Sequence, residues 1–580
     1  MGPVISQTTQ KYKQLSKLID EVNRAPFPLD ASDSQIIIIA QNCAADCQRL
    51  KDKIADQQKL TLKLIDYLAA KTVPVPETEN DQQFISRCID AAFWRRNLRK
   101  IHGRVFEHVA VRLGLVSVRS GAYCSNETVA RHIASTQRNQ KNLDQVKMQN
   151  QTTDQIYSLK ELSSKTTANQ VIRHGELMLR MAGCEQIAAE RGDIGLFITQ
   201  TAPSRFHAML SKSGELNPKY EGATPRQTAQ HLGEVWARCR AELARSKIFP
   251  YGFRIAEPHH DGCPHWHMMM FVATDQAAAF SKIITRHAIA ADRNELENKA
   301  GELVRVDARI KIVEIDSEKG SACAYISKYV SKNISGDHVA EHIDADGVIS
   351  AGVDLAGGGI TKPFQRVQAW ASCWGIRQFQ AIGQPPVTGW REMRRVSEEV
   401  IDTAPAHIKE AWAACQRVEL KNKSTGEIVS LKPANFADYI KAQGGVCIGR
   451  KYKIGVATHE EQINGRYGLA LASVPVGIYA RSFKGDLLLA PKAIYESNRY
   501  KWKRIGFALE VDVCLPWSPV NNCTYDEEAR EVFWAKELPE SAFDDFEGID
   551  FYENFEKIPD SWDCSRKYDK DGMLKNAGAF

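Results

Sequence analysis

The period of the hydrophobic pattern changes near residue 190, and this change limits the possible folds more than any other feature. Before it, Leu, Ile and Ala recur at three- and four-residue spacing, which is typical of amphipathic helices. After it, apolar and β-branched runs predict strands at residues 195–201, 249–256, 265–272 and 304–315. Residues 321–332 then predict a helix. The mixture indicates an α+β fold that begins with a helical region.

Shifts in composition divide the chain into four regions. We predict a helical N-terminal region over residues 1–180, an α+β domain over 181–400, a mixed α/β region over 401–535 and an acidic tail over 536–580. Of the 580 residues, 43% are hydrophobic and 25% are charged, which excludes a collagen and a wholly disordered chain. The apolar runs are far shorter than the ~18 residues that span a bilayer. We therefore expect an intracellular protein with no membrane partner.

The densest group of metal-ligand side chains lies in the segment Glu257-Pro-His-His-Asp-Gly-Cys-Pro-His265-Trp-His267. Residues i and i+2 of a strand share a face, so His265 and His267 present their imidazoles side by side. The turn before His265 lets the chain double back, which brings the Glu257 carboxylate toward both rings. Two histidines and one carboxylate leave coordination positions open, as a catalytic metal requires. The alternative is a closed structural zinc site that uses His259, His260 and Cys263.

A tandem Tyr-x-x-Lys motif follows in the same domain. Tyr325 and Tyr329 are four residues apart and share one helical face, as do Lys328 and Lys332. An ordinary amphipathic helix would give the same pattern. A tyrosine hydroxyl is a weak nucleophile until its phenolate is stabilised, and a divalent metal can polarise a phosphate for attack. Together the two motifs predict attack by tyrosine on a phosphodiester, with the lysines offsetting negative charge.

Basic residues are concentrated in two places. The stretch at residues 91–115 carries four that are candidate DNA contacts, Arg95, Arg96, Arg99 and Lys100. Such residues supply the sequence-independent part of DNA affinity, although a solvated helix face is the alternative interpretation. Arg377 is a further candidate, because it lies among aromatic residues that suit stacking on single-stranded DNA. These aromatic residues, which a hydrophobic core would equally explain, are Trp370, Trp374, Phe379 and Trp390.

Three segments resemble, in this order, the three motifs of HUH endonucleases that start rolling-circle replication. They are Phe197-Ile-Thr-Gln-Thr201, Pro264-His265-Trp-His267 and Tyr325-Ile-Ser-Lys-Tyr329-Val-Ser-Lys. The two-tyrosine helix is similar to that of the bacteriophage replication gene A family of Peduovirus-type temperate phages. Residues 94–104, 201–207 and 374–392 also look like this family. The similarity runs from about residue 90 to about residue 450.

The resemblance implies an HUH endonuclease domain, a five-stranded antiparallel sheet with flanking helices. The strand of the paired histidines and the strand of the third ligand would lie at its centre. The resemblance assigns His265, His267 and Glu257 to a magnesium or manganese ion, and Tyr325 and Tyr329 to the two nucleophiles. It implies nicking and joining of single-stranded or supercoiled origin DNA through a 5′-phosphotyrosyl intermediate, in the cytoplasm of a bacterial host.

Two other classes of protein remain as alternatives. A relaxase or transposase of the same superfamily would share the metal and the tyrosine, and a DNA-binding regulator with a structural zinc would not be an enzyme. Gly357-Gly-Gly359 is not followed by the Gly-Lys-Ser/Thr of a phosphate-binding P-loop, and that sequence occurs nowhere in the chain. We therefore expect a host helicase to unwind the DNA.

Overall fold

The computed structural model of the protein is a mixed α+β fold. It describes residues 22–23, 26–211, 213–315, 322, 342–343, 349–350, 363–416, 418–421, 428–485, 487–505 and 523–524. The predicted helix over 321–332, which contains both tyrosines, lies outside these residues apart from Ala322, and so does the acidic tail. Among the helices described, none is long and apolar enough to cross a membrane.

Most of the described residues before the central sheet, and many after it, are helical. In chain order the α-helices are α1 Asp33–Lys53, α2 Gln57–Ala70, α3 Asp81–Cys88, α4 Ala91–Arg112, α5 Asn126–Gln145, α6 Leu159–Ser164, α7 Gln170–Arg191, α8 Pro225–Arg245, α9 Ala277–Ala288, α10 Pro363–Trp374, α11 Val387–Met393, α12 Glu398–Ile401, α13 Ala406–Cys415 and α14 Phe436–Ala442. Short 3-10 helices occupy Ser204–Phe206, Thr274–Gln276, Arg293–Glu295 and Val306–Ala308.

The strands of the described residues form a central sheet and several smaller ones. They are β1 Lys147–Asn150, β2 Ile156–Ser158, β3 Asp193–Gln200, β4 Tyr251–Pro258, β5 Pro264–Ala273, β6 Ile310–Glu314, β7 His342–Ile343, β8 Ile349–Ser350, β9 Phe379–Ile382, β10 Val418–Lys421, β11 Ile428–Lys432, β12 Ile454–Gly465, β13 Gly468–Ala480, β14 Phe483–Lys484, β15 Leu487–Leu488, β16 Tyr495–Glu496, β17 Tyr500–Ile505 and β18 Cys523–Thr524.

The central sheet has five strands in the order β6-β3-β5-β4-β9, and every neighbouring pair is antiparallel. The predicted five-stranded antiparallel sheet is therefore confirmed, with β5 in the middle and β4 beside it. All eight residues of β4 and nine of the ten in β5 are buried. Because helices cover both faces of the sheet, these strands are buried on both faces instead of alternating between buried and exposed residues.

Each face of the sheet packs against a separate hydrophobic core. On one face, Phe253 and Met269 meet α7 together with helices from α11 to α14, so that Met181 and Phe436 belong to the same core. On the opposite face, Met268 and Met270 meet α8 and α9. Successive residues of β5 therefore belong to different cores, as the period of two in a strand requires.

The predicted helical N-terminal region is only partly helical. Helices α1 to α4 share a core of their own, but β1 and β2 follow α5 and pair with each other. β1 also pairs with β17, more than 300 residues further along the chain. The prediction was wrong at these residues because the partner that makes β1 a strand is remote in sequence, and local periodicity does not reveal it.

The predicted strand boundaries also differ from those in the structure. The run at residues 304–315 contributes a strand only from Ile310 to Glu314, because residues 306–308 form a 3-10 turn before it. In the region predicted to be mixed α/β, β12 and β13 form one hairpin.

Candidate metal centre

Glu257, His265 and His267 come together at one end of the central sheet. The two imidazole Nε2 atoms are 2.8 Å apart, and Nε2 of His267 is 3.7 Å from Oε2 of Glu257. Their candidate ligand atoms all lie within 4.8 Å of one another. The three residues are only 1% to 4% exposed. The structure thus assembles the two histidines and the carboxylate that the sequence indicated.

Strand register explains why these three side chains converge. Glu257 lies directly opposite His265 where β4 pairs with β5, and directly opposed residues in an antiparallel pair point to the same face. His267 follows two residues later on that face. Both strands flank the turn at residues 259–263, so the hairpin geometry itself brings the three ligands together.

The neighbouring strand orients the second histidine. Thr199 of β3 lies opposite His267, and its Oγ1 is 3.2 Å from Nδ1 of that ring. Phe197 stacks on the same ring, with centroids 5.6 Å apart. When Nδ1 carries the proton and donates it to Thr199, the lone pair of Nε2 points at His265 and Glu257, which is the tautomer that a metal ligand needs.

The donor set fits a divalent cation. Two imidazole nitrogens and one carboxylate are ligands of manganese, magnesium and zinc alike. Three protein ligands leave positions open for water or for a substrate oxygen. Burial of a carboxylate beside two polar rings is costly unless a positive charge or hydrogen bonds compensate it, and a bound cation would supply that charge.

A largely buried ion pair supports the turn that joins β4 and β5. Nδ1 of His207 is 3.3 Å from Oδ2 of Asp261, and Oδ1 of Asp261 accepts the Cys263 N–H at 3.1 Å. Although burial opposes both charges, Asp261 and Cys263 raise the pKa of His207 well above its ordinary value. His207 in turn lowers the pKa of Asp261. No pattern in the sequence pointed to His207, which lies more than 50 residues upstream of the turn.

The alternative zinc site of His259, His260 and Cys263 is not assembled as predicted. The group that surrounds Cys263 contains His207 and Asp261 instead, and Nε2 of His207 is 3.6 Å from the Cys263 sulfur. The ring of His259 packs 4.0 Å from that of His265, centroid to centroid. Its side chain therefore contacts His265, one of the candidate metal ligands.

The predicted nucleophiles cannot be placed against this site. Tyr325, Lys328, Tyr329 and Lys332 all lie outside the described residues. The described residues nearest to them on the N-terminal side are Ile315, one residue beyond β6, and Ala322, whose N–H donates to Oε1 of Glu185 at 2.5 Å. Their roles remain predictions from the sequence.

The basic stretch of α4 is largely engaged within the protein. Arg95 is buried, Arg96 donates a hydrogen bond to the Tyr467 hydroxyl at 3.1 Å, and Arg99 forms a bidentate ion pair with Asp33 at 2.8 Å. Lys100 is exposed. The stretch therefore does not form one continuous basic face.

The aromatic residues near Arg377 belong mainly to the core. Trp370, Trp374 and Trp390 are each at most 2% exposed, so the predicted stacking of these rings on DNA bases is wrong. Arg377 itself is half-buried, and its Nε donates to the Phe379 carbonyl at 3.2 Å.

Comparison with known proteins shows the relationship of the chain. Residues 30–337 match the family model described as bacteriophage replication gene A protein. The chain is 37% identical over 454 residues to the replication gene A protein of Escherichia phage 186, covering 76% of this chain and 60% of that protein. It is 32% identical over 436 residues to the probable replication protein P12 of Pseudoalteromonas phage PM2, covering 75% and 60% of the two chains.

A third relative, the replication protein of Haemophilus phage HP1, is 30% identical over 463 residues, covering 77% of this chain and 55% of that protein. The matched region thus spans between half and two thirds of the length of these relatives. No solved structure matches the chain.

The chain is thus an α+β protein built around a candidate metal centre. Its central hairpin carries two histidines and a glutamate, all three buried at one end of the sheet. The match of residues 30–337 to the family model decides which family the chain belongs to. The chain belongs to the bacteriophage replication gene A protein family.

Proposed function

We propose that the protein is a site-specific DNA endonuclease and strand transferase that initiates and terminates rolling-circle replication of phage DNA. The observation that carries this proposal is the buried group of Glu257, His265 and His267 on the middle strand β5 and its neighbour β4. Relatives named as probable replication endonucleases support the reaction class, among them one from a prophage-like region of Escherichia coli that is 30% identical.

The roles of the residues follow from their chemistry. Glu257, His265 and His267 would hold a magnesium or manganese ion, which when bound supplies Lewis-acid polarisation of a phosphate oxygen. By accepting a hydrogen bond from Nδ1 of His267, Thr199 would keep the Nε2 lone pair of that ring directed at the other two ligands. Tyr325 or Tyr329 would attack the scissile phosphate, with the proton leaving the hydroxyl as the P–O bond to tyrosine forms and the 3′ oxygen departs.

Two tyrosines on one helical face suit the end of a replication round. One tyrosine would hold the first 5′ phosphate while the other cleaves the regenerated origin. The freed 3′ hydroxyl would then attack the old phosphotyrosine and close the displaced circle. Phosphodiester energy is conserved at each step, so joining needs no nucleotide, and unwinding would fall to a host helicase.

Incubation of the full chain with supercoiled phage DNA and magnesium tests this proposal. We expect a nicked product with protein attached to the 5′ end, and we expect His265→Ala and His267→Ala to lose at least about 100-fold in cleavage rate, since each removes a ligand of a catalytic metal. His459→Ala is the matched control, because His459 is exposed on the β12–β13 hairpin.

The tyrosines provide a second arm of the same experiment. Tyr325→Phe and Tyr329→Phe should each retain some cleavage of a short origin oligonucleotide, whereas the double variant should form no covalent adduct. Undiminished magnesium-dependent nicking by the His265→Ala, His267→Ala double variant would contradict the proposal. Binding of DNA without nicking by the wild-type protein would favour a regulator.

A further inference from the structure

Five arginines from four segments of the chain form two neighbouring groups, one near the turn that joins β4 to β5 and one around Arg254 of β4. We refer to them as the arginine patch. Its members are Arg104 of α4, Arg226 and Arg240 of α8, Arg254 of β4 and Arg377, which precedes β9. The sequence marks Arg377 and, as part of the basic stretch at residues 91–115, Arg104; the other three are not marked, because the segments meet only in the folded chain.

The loop that follows α10 brings two of these guanidinium groups together. A Cβ placed on Gly375 would lie 3.2 Å from an Nη atom of Arg104 and 3.2 Å from an Nη atom of Arg226. Arg104 Nε donates to the Cys373 carbonyl at 2.9 Å. Burial lowers the pKa of Arg104, and the nearby charge of Arg226 lowers it further. Two like charges are therefore held side by side.

Arg254 lies deeper, on the face of the sheet opposite the metal ligands. Its guanidinium carbon is 3.8 Å from the centroid of the Trp266 ring, and the residue is 9% exposed. Its buried Nε has no hydrogen-bond partner among the described residues. Burial lowers its pKa to about 9, and the charges of Arg377 and Arg240 add to this effect.

The patch has little negative charge to balance it. In the described part of the chain, no carboxylate forms an ion pair with Arg104, Arg226, Arg240 or Arg254. Clustered and partly desolvated cations of this kind destabilise a fold unless an anion binds among them. Arginine presents several N–H donors in a planar fork, which matches the oxygens of a phosphate.

The position of the patch relates it to the metal centre. Ile255 pairs with Phe379, so Arg377 lies at the same end of the sheet as Glu257. Pro225, which precedes Arg226, approaches the position of a Cβ on Gly262 in the ligand turn to 3.9 Å. Arg254 is three residues before Glu257 on the same strand, roughly 10 Å along it, and faces the opposite side of the sheet.

We propose that the arginine patch binds backbone phosphates of the DNA strand next to the cleavage site. The inference rests on the proposed function for the identity of the ligand, and it adds the place where the strand is held. Arg377 and Arg226 would contact the strand as it crosses the edge of the sheet, and Arg254 would receive a phosphate oxygen over the ring of Trp266.

DNA affinity over a range of salt concentrations tests this inference in the full chain. Fluorescence anisotropy would be measured in EDTA, which separates binding from cleavage, with a single-stranded origin oligonucleotide in one arm and its duplex in the other. The variants are Arg226→Gln with Arg240→Gln, both exposed and unable to disturb the core, and Arg254→Met, which keeps an apolar stem over Trp266. Arg293→Gln is the matched control, since Arg293 is exposed and paired with Glu297.

Each phosphate contact that is lost should lower the slope of log K against log salt by about 0.7 for a single strand or about 0.9 for a duplex. We expect affinity to fall roughly tenfold per charge-assisted contact, with no change in the control. A change in either arm supports the inference and identifies the strand form that is bound. Slopes and affinities equal to those of Arg293→Gln in both arms would overturn it.

Cleavage of the same oligonucleotide is then measured on the same preparations with magnesium. It distinguishes failure of the arginine-patch inference from failure of the proposed function. Unchanged binding by the variants together with cleavage by the wild-type protein rejects the patch alone. Weakened binding by the variants without cleavage by the wild-type protein rejects the nuclease and retains the phosphate site.

Discussion

At the scale of single residues, the ion pair between His207 and Asp261 has the largest consequence for stability. Asp261 is buried and the His207 side chain is 17% exposed, and both lie against the turn that separates the strands of the candidate metal ligands. Breaking one partner of a buried pair leaves the other charge uncompensated, at a cost of about 3 kcal/mol. The pair therefore fixes the hairpin before any ligand binds.

We predict that Asp261→Asn lowers the free energy of unfolding by about 3 kcal/mol at pH 5.5, and by less at pH 8. The pKa of His207 is raised in the folded protein, so its contribution is complete below its ordinary value of about 6.5 and is lost as the pH rises through the folded value. The pKa of Asp261 is lowered, so its share is lost only in acid, as the pH falls below about 3.8.

Urea unfolding at the two pH values measures this difference. Glu297→Gln serves as the control, because its ion pair with Arg293 is on the surface and should contribute less than about 1 kcal/mol at either pH. A loss that grows between pH 5.5 and pH 8 would show that His207 and Asp261 are not both charged.

At the scale of elements, the close contact between α7 and α14 holds one face of the central sheet. A Cβ on Gly183 would lie 2.8 Å from Cβ of Phe436 and 2.9 Å from the backbone nitrogen of Ala437. Only glycine lets the two helices approach this closely. Met181 and Cys184, on either side of Gly183, belong to the core that also contains Met269 of β5.

We predict that Gly183→Val destabilises the protein by roughly 2 to 3 kcal/mol, since the neighbouring atoms are backbone and Cβ and cannot move aside. Gly175→Ala in the same helix is the control, because no atom lies within 4 Å of its added Cβ. That change should stabilise by up to about 1 kcal/mol through helix propensity. Thermal unfolding of both variants tests this, and equal melting temperatures would contradict the packing argument.

Local patterns were sufficient to predict the hairpin and its ligands. A period of two places His265 and His267 on one face, and a short turn brings Glu257 back to them, so no distant information is needed. Thr199 and His207 approach through β3 and through a loop, and no spacing in the sequence relates them to the histidines. The arginine patch could not be predicted for the same reason.

The basic stretch of α4 shows what a local pattern cannot predict. Its charges are evident in the sequence, but whether a helix face meets solvent depends on its neighbours. Arg99 meets Asp33 of α1, and Arg96 meets Tyr467 of a hairpin that begins more than 350 residues later. Only Arg104, at the far end of the stretch, reaches the arginine patch. Charge density alone therefore identified the helix but not the residues.

At the scale of the whole molecule, the tip of the β12–β13 hairpin joins the C-terminal part of the described chain to the N-terminal helices. Asp90 accepts hydrogen bonds from Arg466 at 2.9 Å and from the Tyr467 hydroxyl at 2.7 Å. The same carboxylate caps α4 by accepting the Ala92 N–H at 2.9 Å. One side chain thus serves both a helix end and a long-range contact.

We predict that Asp90→Ala lowers the free energy of unfolding by about 2 to 3 kcal/mol, of which about 1 is the lost cap and the rest the lost charge-assisted bonds. Asp56→Ala removes only a cap, at the start of α2, and should cost about 1 kcal/mol. Cleavage by trypsin at Arg466 should be faster in the Asp90 variant alone. Equal rates in the two variants would show that the hairpin does not depend on Asp90.

The pairing of β1 with β17 has a consequence for the growing chain on the ribosome. Residue 150 emerges long before residue 505, and at the ~5–20 residues per second of bacterial synthesis the interval is roughly 20 to 70 s. During that time the edge of β1 that will meet Tyr500–Ile505 has no native partner, and an open edge invites pairing with other chains. The nascent chain therefore carries this open edge from before its central sheet is synthesised until well after that sheet is complete at Ile382.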